Sequence, residues 1–128
     1  MSFPEGDFVL KNRAHCPVGL DVEASSTEDG ARVLGWELRG EDNDNQRWRY
    51  QDGQLINVNS GKALTFTDLT PESLATQEEP TGAEGQRFQW IDGLIVLADN
   101  HDLCVGEWDG DVKIVPRDDN DDARRWDF

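Results

Sequence analysis

Gln46-Arg47-Trp48-Arg49-Tyr50 returns as Gln86-Arg87-Phe88-Gln89-Trp90 and, more loosely, as Arg124-Arg125-Trp126-Asp127-Phe128. From Trp48 to Phe88 is 40 residues, and from Phe88 to Trp126 is 38. Each copy reads aromatic, variable residue, aromatic. That period of two turns alternate side chains to one side, as in a strand and not a helix. A pattern that recurs at a near-constant interval sets the architecture before any single element does.

Working outward, each copy opens on a short apolar run beside a glycine: Phe8-Val9-Leu10 near Gly6, Leu55-Ile56-Asn57 near Gly53, and Leu94-Ile95-Val96 near Gly93. A second run follows in each: Leu20-Asp21-Val22, Leu64-Thr65-Phe66 and Leu103-Cys104-Val105. Turn-forming clusters such as Asn59-Ser60-Gly61-Lys62 and Asp99-Asn100-His101-Asp102 lie between them. Short strands and frequent turns make the chain all-β. A propeller blade has a similar length, but propellers use four to eight blades and this chain has three copies. The expected fold is a β-trefoil over residues 1–128, with repeats at about 6–52, 53–91 and 92–128. Trp48, Phe88 and Trp126 are expected to meet near the pseudo-threefold axis and fill the core.

Twelve basic against 27 acidic residues give a net charge of -15, which argues against nucleic acid and anionic membrane surfaces, since both demand neutralising cations. An uncharged ligand fits better. No run nears the length of a membrane span, and Met1-Ser2-Phe3-Pro4-Glu5-Gly6 lacks the character of a secretion signal. The chain is expected to be cytoplasmic or released without a signal peptide. Cys16 and Cys104 have no metal-ligand spacing and read as free thiols. The acidic loops at Asp42-Asn43-Asp44 and Asp118-Asp119-Asn120-Asp121-Asp122 lack the spacing and glycine of a calcium loop and read as solvated charge. No metal and no cofactor are expected.

The Gln-x-Trp ending, the Ser60-Gly61-Lys62 turn before Ala63-Leu64 and the threefold period resemble the ricin B-chain lectins, from about Gly6 to Phe128. The first repeat, with Gly19-Leu20-Asp21-Val22, Val33-Leu34-Gly35-Trp36-Glu37 and Asn45-Gln46-Arg47-Trp48, is similar to the sugar-binding repeat of that family, particularly its fungal members. The steps of 15 residues from Asp21 to Trp36 and nine from Trp36 to Asn45 match that repeat. The resemblance implies a lectin for galactose- or N-acetylgalactosamine-containing glycans. In it Asp21 accepts two sugar hydroxyls, Trp36 covers the sugar face, Asn45 binds one hydroxyl and Gln46 fixes the site. These residues are expected on a preformed rim, apart from the core. Physical chemistry supports the roles: a carboxylate takes two hydroxyl donors at once, and an indole covers the C–H patch of a galacto ring. Arg39, between Trp36 and Asn45, has two readings, a contact to a second sugar residue or an exposed loop charge.

The second and third repeats depart from this pattern. Thr65 and Cys104 stand for Asp21, residues near Thr76 and Ile114 for Trp36, and Gly85 and Ala123 for Asn45. One sugar site per chain is therefore expected. Agglutination then needs an oligomer such as a homodimer. Trp108 is expected in an exposed hairpin loop, either as an oligomer contact or as a packed loop residue. His15 and His101 have no partnered nucleophile motif, so no enzyme is expected. The alternative function is a protein-binding trefoil such as a protease inhibitor, because the fold serves both roles.

Overall fold

In the computed structural model, which describes residues 2–128, the alternating segments become thirteen short strands. The first stretch carries β1 (Asp7–Phe8), β2 (Lys11–Asn12), β3 (Val18–Val22), β4 (Val33–Glu37) and β5 (Trp48–Gln51). The second carries β6 (Gln54–Asn57), β7 (Ala63–Thr65), β8 (Thr76–Glu78) and β9 (Phe88–Ile91). The third carries β10 (Leu94–Leu97), β11 (Asn100–Trp108), β12 (Asp111–Pro116) and β13 (Trp126–Asp127). A single 3-10 turn precedes each core aromatic, at Asp44–Gln46, Glu84–Gln86 and Asp122–Arg124.

Three Asp-Gly pairs set the tight hairpins. Asp52-Gly53, Asp92-Gly93 and Asp109-Gly110 all adopt positive φ, between 50° and 89°. Two consecutive left-handed residues form the turn whose twist matches that of the flanking strands. They join β5 to β6, β9 to β10 and β11 to β12, all antiparallel.

The opening strand differs from its sequence expectation. Phe8-Val9-Leu10 is not one strand. β1 pairs with β5 through Phe8 opposite Trp48, and β2 pairs with the C-terminal β13 through Asn12 opposite Trp126. The segment changes partner between Phe8 and Lys11 and thereby ties both ends of the chain into the fold. The register makes Leu10-Lys11-Asn12 the counterpart of Leu55-Ile56-Asn57. Asn12 and Asn57 confirm it. Both are fully buried, and each carbonyl caps two backbone N–H groups of the following turn.

Trp48, Phe88 and Trp126 have no exposed surface and lie in one apolar cluster with Leu10, Leu20, Leu55, Leu64, Phe66 and Ile95. The two buried indoles meet their polar requirement by donating to backbone carbonyls, Trp48 Nε1 to Leu20 at 3.2 Å and Trp126 Nε1 to Val105 at 2.9 Å. Truncating either ring opens a cavity and strands that carbonyl. Trp48→Ala and Trp126→Ala are each expected to cost about 3–5 kcal/mol in denaturant unfolding.

Candidate functional site

β3 and β4 form an antiparallel pair with Asp21 opposite Leu34 and Gly19 opposite Trp36. Because side chains alternate along a strand, Leu34 and Trp36 share a face with Asp21. Trp36 stays 60% exposed. The turn after β3 and the loop before β5 complete an open cleft of about 500 Å³, lined by Asp21, Glu23, Ala24, Ser25, Leu34, Trp36, Arg39 and Asn45. Trp36 forms an apolar wall and Asp21 a carboxylate beside it.

The expectation of a preformed rim apart from the core holds for Trp36 but not for three other residues. Asp21 and Asn45 are each 4% exposed, and Gln46 is fully buried. Gln46 Nε2 donates to Asp21 Oδ2 and to the Glu37 carbonyl, both at 2.9 Å, and Gln46 Oε1 accepts from the Arg39 N–H at 2.9 Å. Asn45 Nδ2 donates to Asp21 Oδ1 and to the Val22 carbonyl, both at 3.1 Å. A carboxylate placed this deep must be satisfied by donors, and the two amides supply one per oxygen. Each Asp21 oxygen retains acceptor capacity toward the cleft. Burial raises the Asp21 pKa above its ordinary value of 3.8, against the opposing pull of Gln46, Arg39 and Asn45.

Arg39 is no free loop charge. Its Nη2 donates to Asn45 Oδ1 and, at 3.2 Å, to the Asp42 carbonyl, and its Nη1 lies 3.7 Å from Asp21 Oδ2. The structure thus brings Asp21, Trp36, Arg39, Asn45 and Gln46 to one place.

The sequence reading missed Glu23, Ala24, Ser25 and Leu34 as lining residues. Leu34 was legible as the residue two before Trp36 on the same strand face. Ala24 and Ser25 carry left-handed backbone, φ 56° and 53°, which non-glycine residues adopt at a cost, and their residue types gave no sign of it.

The second repeat keeps the amide clamp without the chemistry. Gln86 Nε2 donates to Thr65 Oγ1 at 3.1 Å and to the Glu79 carbonyl at 2.9 Å, while Gln86 Oε1 accepts from the Thr81 N–H at 2.8 Å. All three bonds of Gln46 have a counterpart here, and Gln86 Oε1 accepts two more, from Thr81 Oγ1 and the Gly82 N–H, so the clamp is architectural. Strand register places Glu78 and Arg117, not Thr76 and Ile114, at the positions of Trp36. The step from the Asp21 position to the Trp36 position is 13 residues in both later repeats, against 15 in the first. Neither residue is aromatic. At the position of Asn45, a Cβ on Gly85 would lie 2.0 Å from the Phe66 carbonyl oxygen, leaving no room for an amide. In the third repeat, Cys104 is buried and its thiol is pushed up to about 11 by desolvation.

Trp108 is not in an exposed loop. It ends β11, half-buried, with its ring over Gly106, where an added Cβ would meet Cη2 at 2.4 Å, and with the Arg124 guanidinium 5.0 Å from the ring centroid. Its ring is packed on the protein, as the second of the two readings has it. His15 Nδ1 lies 2.7 Å from the carboxylate of buried Glu107, a contact that joins the first and third repeats outside the cleft. Among the described residues no group of three His, Cys, Asp or Glu is placed to hold a metal ion.

No family model matches the chain. Mucoricin of Rhizopus delemar is 44% identical over 63 residues, a match covering 48% of this chain and 42% of Mucoricin. The match therefore spans less than half of that relative's length. The solution structure of an mdaA-1 domain superposes with a TM-score of 0.85 at 27% identity, covering 99% of this chain and 91% of that one. The earthworm R-type lectin C-half, solved in complex with GalNAc, superposes at 0.80 with 14% identity over 97% of both chains. The fold is a β-trefoil, the fold of the ricin-B-type lectins that the Gln-x-Trp endings resemble.

Gly85→Asn, which writes the missing amide into the second repeat, is expected to destabilise the protein by about 1–3 kcal/mol or more through overpacking. It is expected to leave the number of bound ligands unchanged, as read by calorimetry beside thermal unfolding.

Proposed function

We propose that the chain is a non-enzymatic, carbohydrate-binding trefoil that takes one terminal galactose or N-acetylgalactosamine residue in the first-repeat cleft. The observation that carries this reading is the pairing of a mostly exposed indole, Trp36, with a buried carboxylate, Asp21, across an open cleft. A pyranose has both an apolar C–H face and a rim of hydroxyls, so it uses both walls at once. The indole removes the C–H patch from water, and the carboxylate accepts hydroxyl protons in charge-assisted bonds. A sugar with the axial 4-hydroxyl inverted misplaces that group and leaves buried polar atoms unpaired, which is the source of discrimination. Gln46 belongs to this reading as the clamp that orients Asp21. The absence of a comparable set in the other two repeats supports a stoichiometry of one. That the earthworm lectin of the same fold was solved with GalNAc lends the sugar class support.

A glycan array run beside a protease panel tests the reading, with galactosides retained, glucose and mannose not, and no protease inhibited. Inhibition of a protease without glycan binding favours the protein-binding alternative. One monosaccharide offers few atoms, so its Kd is expected at roughly millimolar to high micromolar. Trp36→Ala is the clean site variant, because its exposed ring contributes little to folding. It is expected to lose detectable galactoside binding with an unchanged unfolding midpoint, whereas wild-type binding by this variant removes the stacking role.

The raised Asp21 pKa gives a pH signature. Hydroxyl donors need the ionised carboxylate, so binding is expected to fall with acid through a midpoint above 3.8. The effect on folding has the opposite sign. A carboxyl whose pKa is raised on folding adds stability below its unfolded value and loses it as pH rises through the folded one. Acid loss of binding therefore does not come from loss of Asp21's contribution to the fold. Titration at several pH values, with circular dichroism at each, checks both signs.

A further inference from the structure

The proton inventory of the cleft changes which residue faces the ligand as donor. Asn45 has two amide protons, and both are spent inside the protein, on Asp21 Oδ1 and the Val22 carbonyl. Its oxygen is turned to Arg39 Nη2. The reverse amide orientation would put the oxygen against two acceptors and the NH₂ against a guanidinium, so the network fixes the assignment. Both Gln46 protons are likewise committed, to Asp21 and the Glu37 carbonyl. Neither amide has a proton left for a sugar.

Arg39 does. Of its five N–H groups, Nε and Nη2 bond to the Asp42 carbonyl and Asn45, while Nη1 makes no hydrogen bond and lies 3.7 Å from Asp21 Oδ2. Arg39 also lines the cleft as its only cation, among Asp21 and Glu23.

We infer that Arg39 is a specificity-determining ligand contact: it donates from Nη1 to an oxygen of the bound sugar, while its Nη2 holds Asn45 as an acceptor. The inference rests on the lectin reading of this cleft and refines it. The first-repeat site then holds two acceptors, Asp21 and Asn45, and a cationic donor. A bound hydroxyl beside Asp21 gives its proton to the carboxylate and accepts one from Arg39 on its lone pair, which satisfies both of its roles. Arg39 thus supplies the donor that Asn45, with both amide protons committed, does not.

The test compares wild type, Arg39→Met and Arg39→Lys against methyl galactoside and its singly deoxy and deoxyfluoro analogues. A C–F group cannot donate and accepts only weakly, so a hydroxyl that donates to Asp21 is lost in both analogues. One that mainly accepts from Arg39 is partly kept in the fluoro compound. Arg39→Met is expected to weaken galactoside binding about tenfold or more while remaining folded by circular dichroism at the titration temperature, with some loss of thermal stability because Asn45 Oδ1 and Asp21 lose a partner. It is also expected to erase the wild-type penalty for one specific deoxy position. Arg39→Lys, with its charge but not its fork, is expected to fall between the two.

Equal binding by Arg39→Met and wild type overturns the inference. A loss that is uniform across the analogue panel also overturns it, because a residue acting only through loop structure weakens every analogue alike. Failure of wild type to bind any galactoside removes the lectin reading as well, whereas binding by wild type with either of the preceding results removes only the role of Arg39.

Discussion

Three large aromatic rings without any exposed surface are the constraint on which this fold depends. Trp48, Phe88 and Trp126 each close a repeat of about 40 residues, and a few short strands cannot bury such a ring alone. One apolar cluster, built from strands of all three copies, removes all three from water. The hairpin turns follow from this demand. Each Asp-Gly pair reverses the chain within two residues, so that β6, β10 and β12 return along β5, β9 and β11 with little chain spent on loops. Closure is completed by the split first strand, whose halves pair with β5 and β13.

The repeats share scaffolding more closely than they share chemistry. The glutamine amide that ties the second strand to the end of the third and to the following loop occurs in the first two copies with the same three bonds. In the first copy its partner is a carboxylate, and in the second a hydroxyl. A buried hydroxyl is cheaper to desolvate than a buried carboxylate and meets the same amide. Thr65 is therefore the residue that architecture alone selects at this position. Asp21 is the departure, retained against its desolvation cost, and a residue kept against its folding interest is where function is sought.

The fold was legible because its cause is periodic. The aromatic alternation, the spacing of the copies and the turn residues all lie in the chain as local pattern, and each survived into the structure. The gathering of Asp21, Trp36, Arg39, Asn45 and Gln46 was legible through spacing: Asp21 and Trp36, 15 apart, share one face of β3 and β4, and Asn45, nine further on, lies in the 3-10 turn that leads into β5. Three things were not. The depth of Asp21 is set by the loop over it and by Asn45, not by Leu20 and Val22 beside it. The left-handed backbone of Ala24 and Ser25 has no residue signature. The inward turn of Trp108 depends on Gly106 two residues earlier leaving room for the ring, a fact about packing that alternation conceals.

Hydrogen-bond capacity, more than residue type, decides what the cleft can do. Read as a type, asparagine is both donor and acceptor. Placed here, its protons are consumed by Asp21 and Val22, and only an acceptor faces outward, itself shared with Arg39. The reason lies with the carboxylate: once Asp21 is desolvated, each oxygen must capture a donor from the protein, and the nearest amides are the ones it captures. Each donor so captured is withdrawn from the ligand, so a buried carboxylate imposes on its neighbourhood a need for one further donor with protons to spare. In a chain of net charge -15, a guanidinium placed where it touches Asp21, Asn45 and the Asp42 carbonyl together answers that need. Its charge also opposes the rise that burial imposes on the Asp21 pKa and so favours the ionised, accepting form of a deep carboxylate.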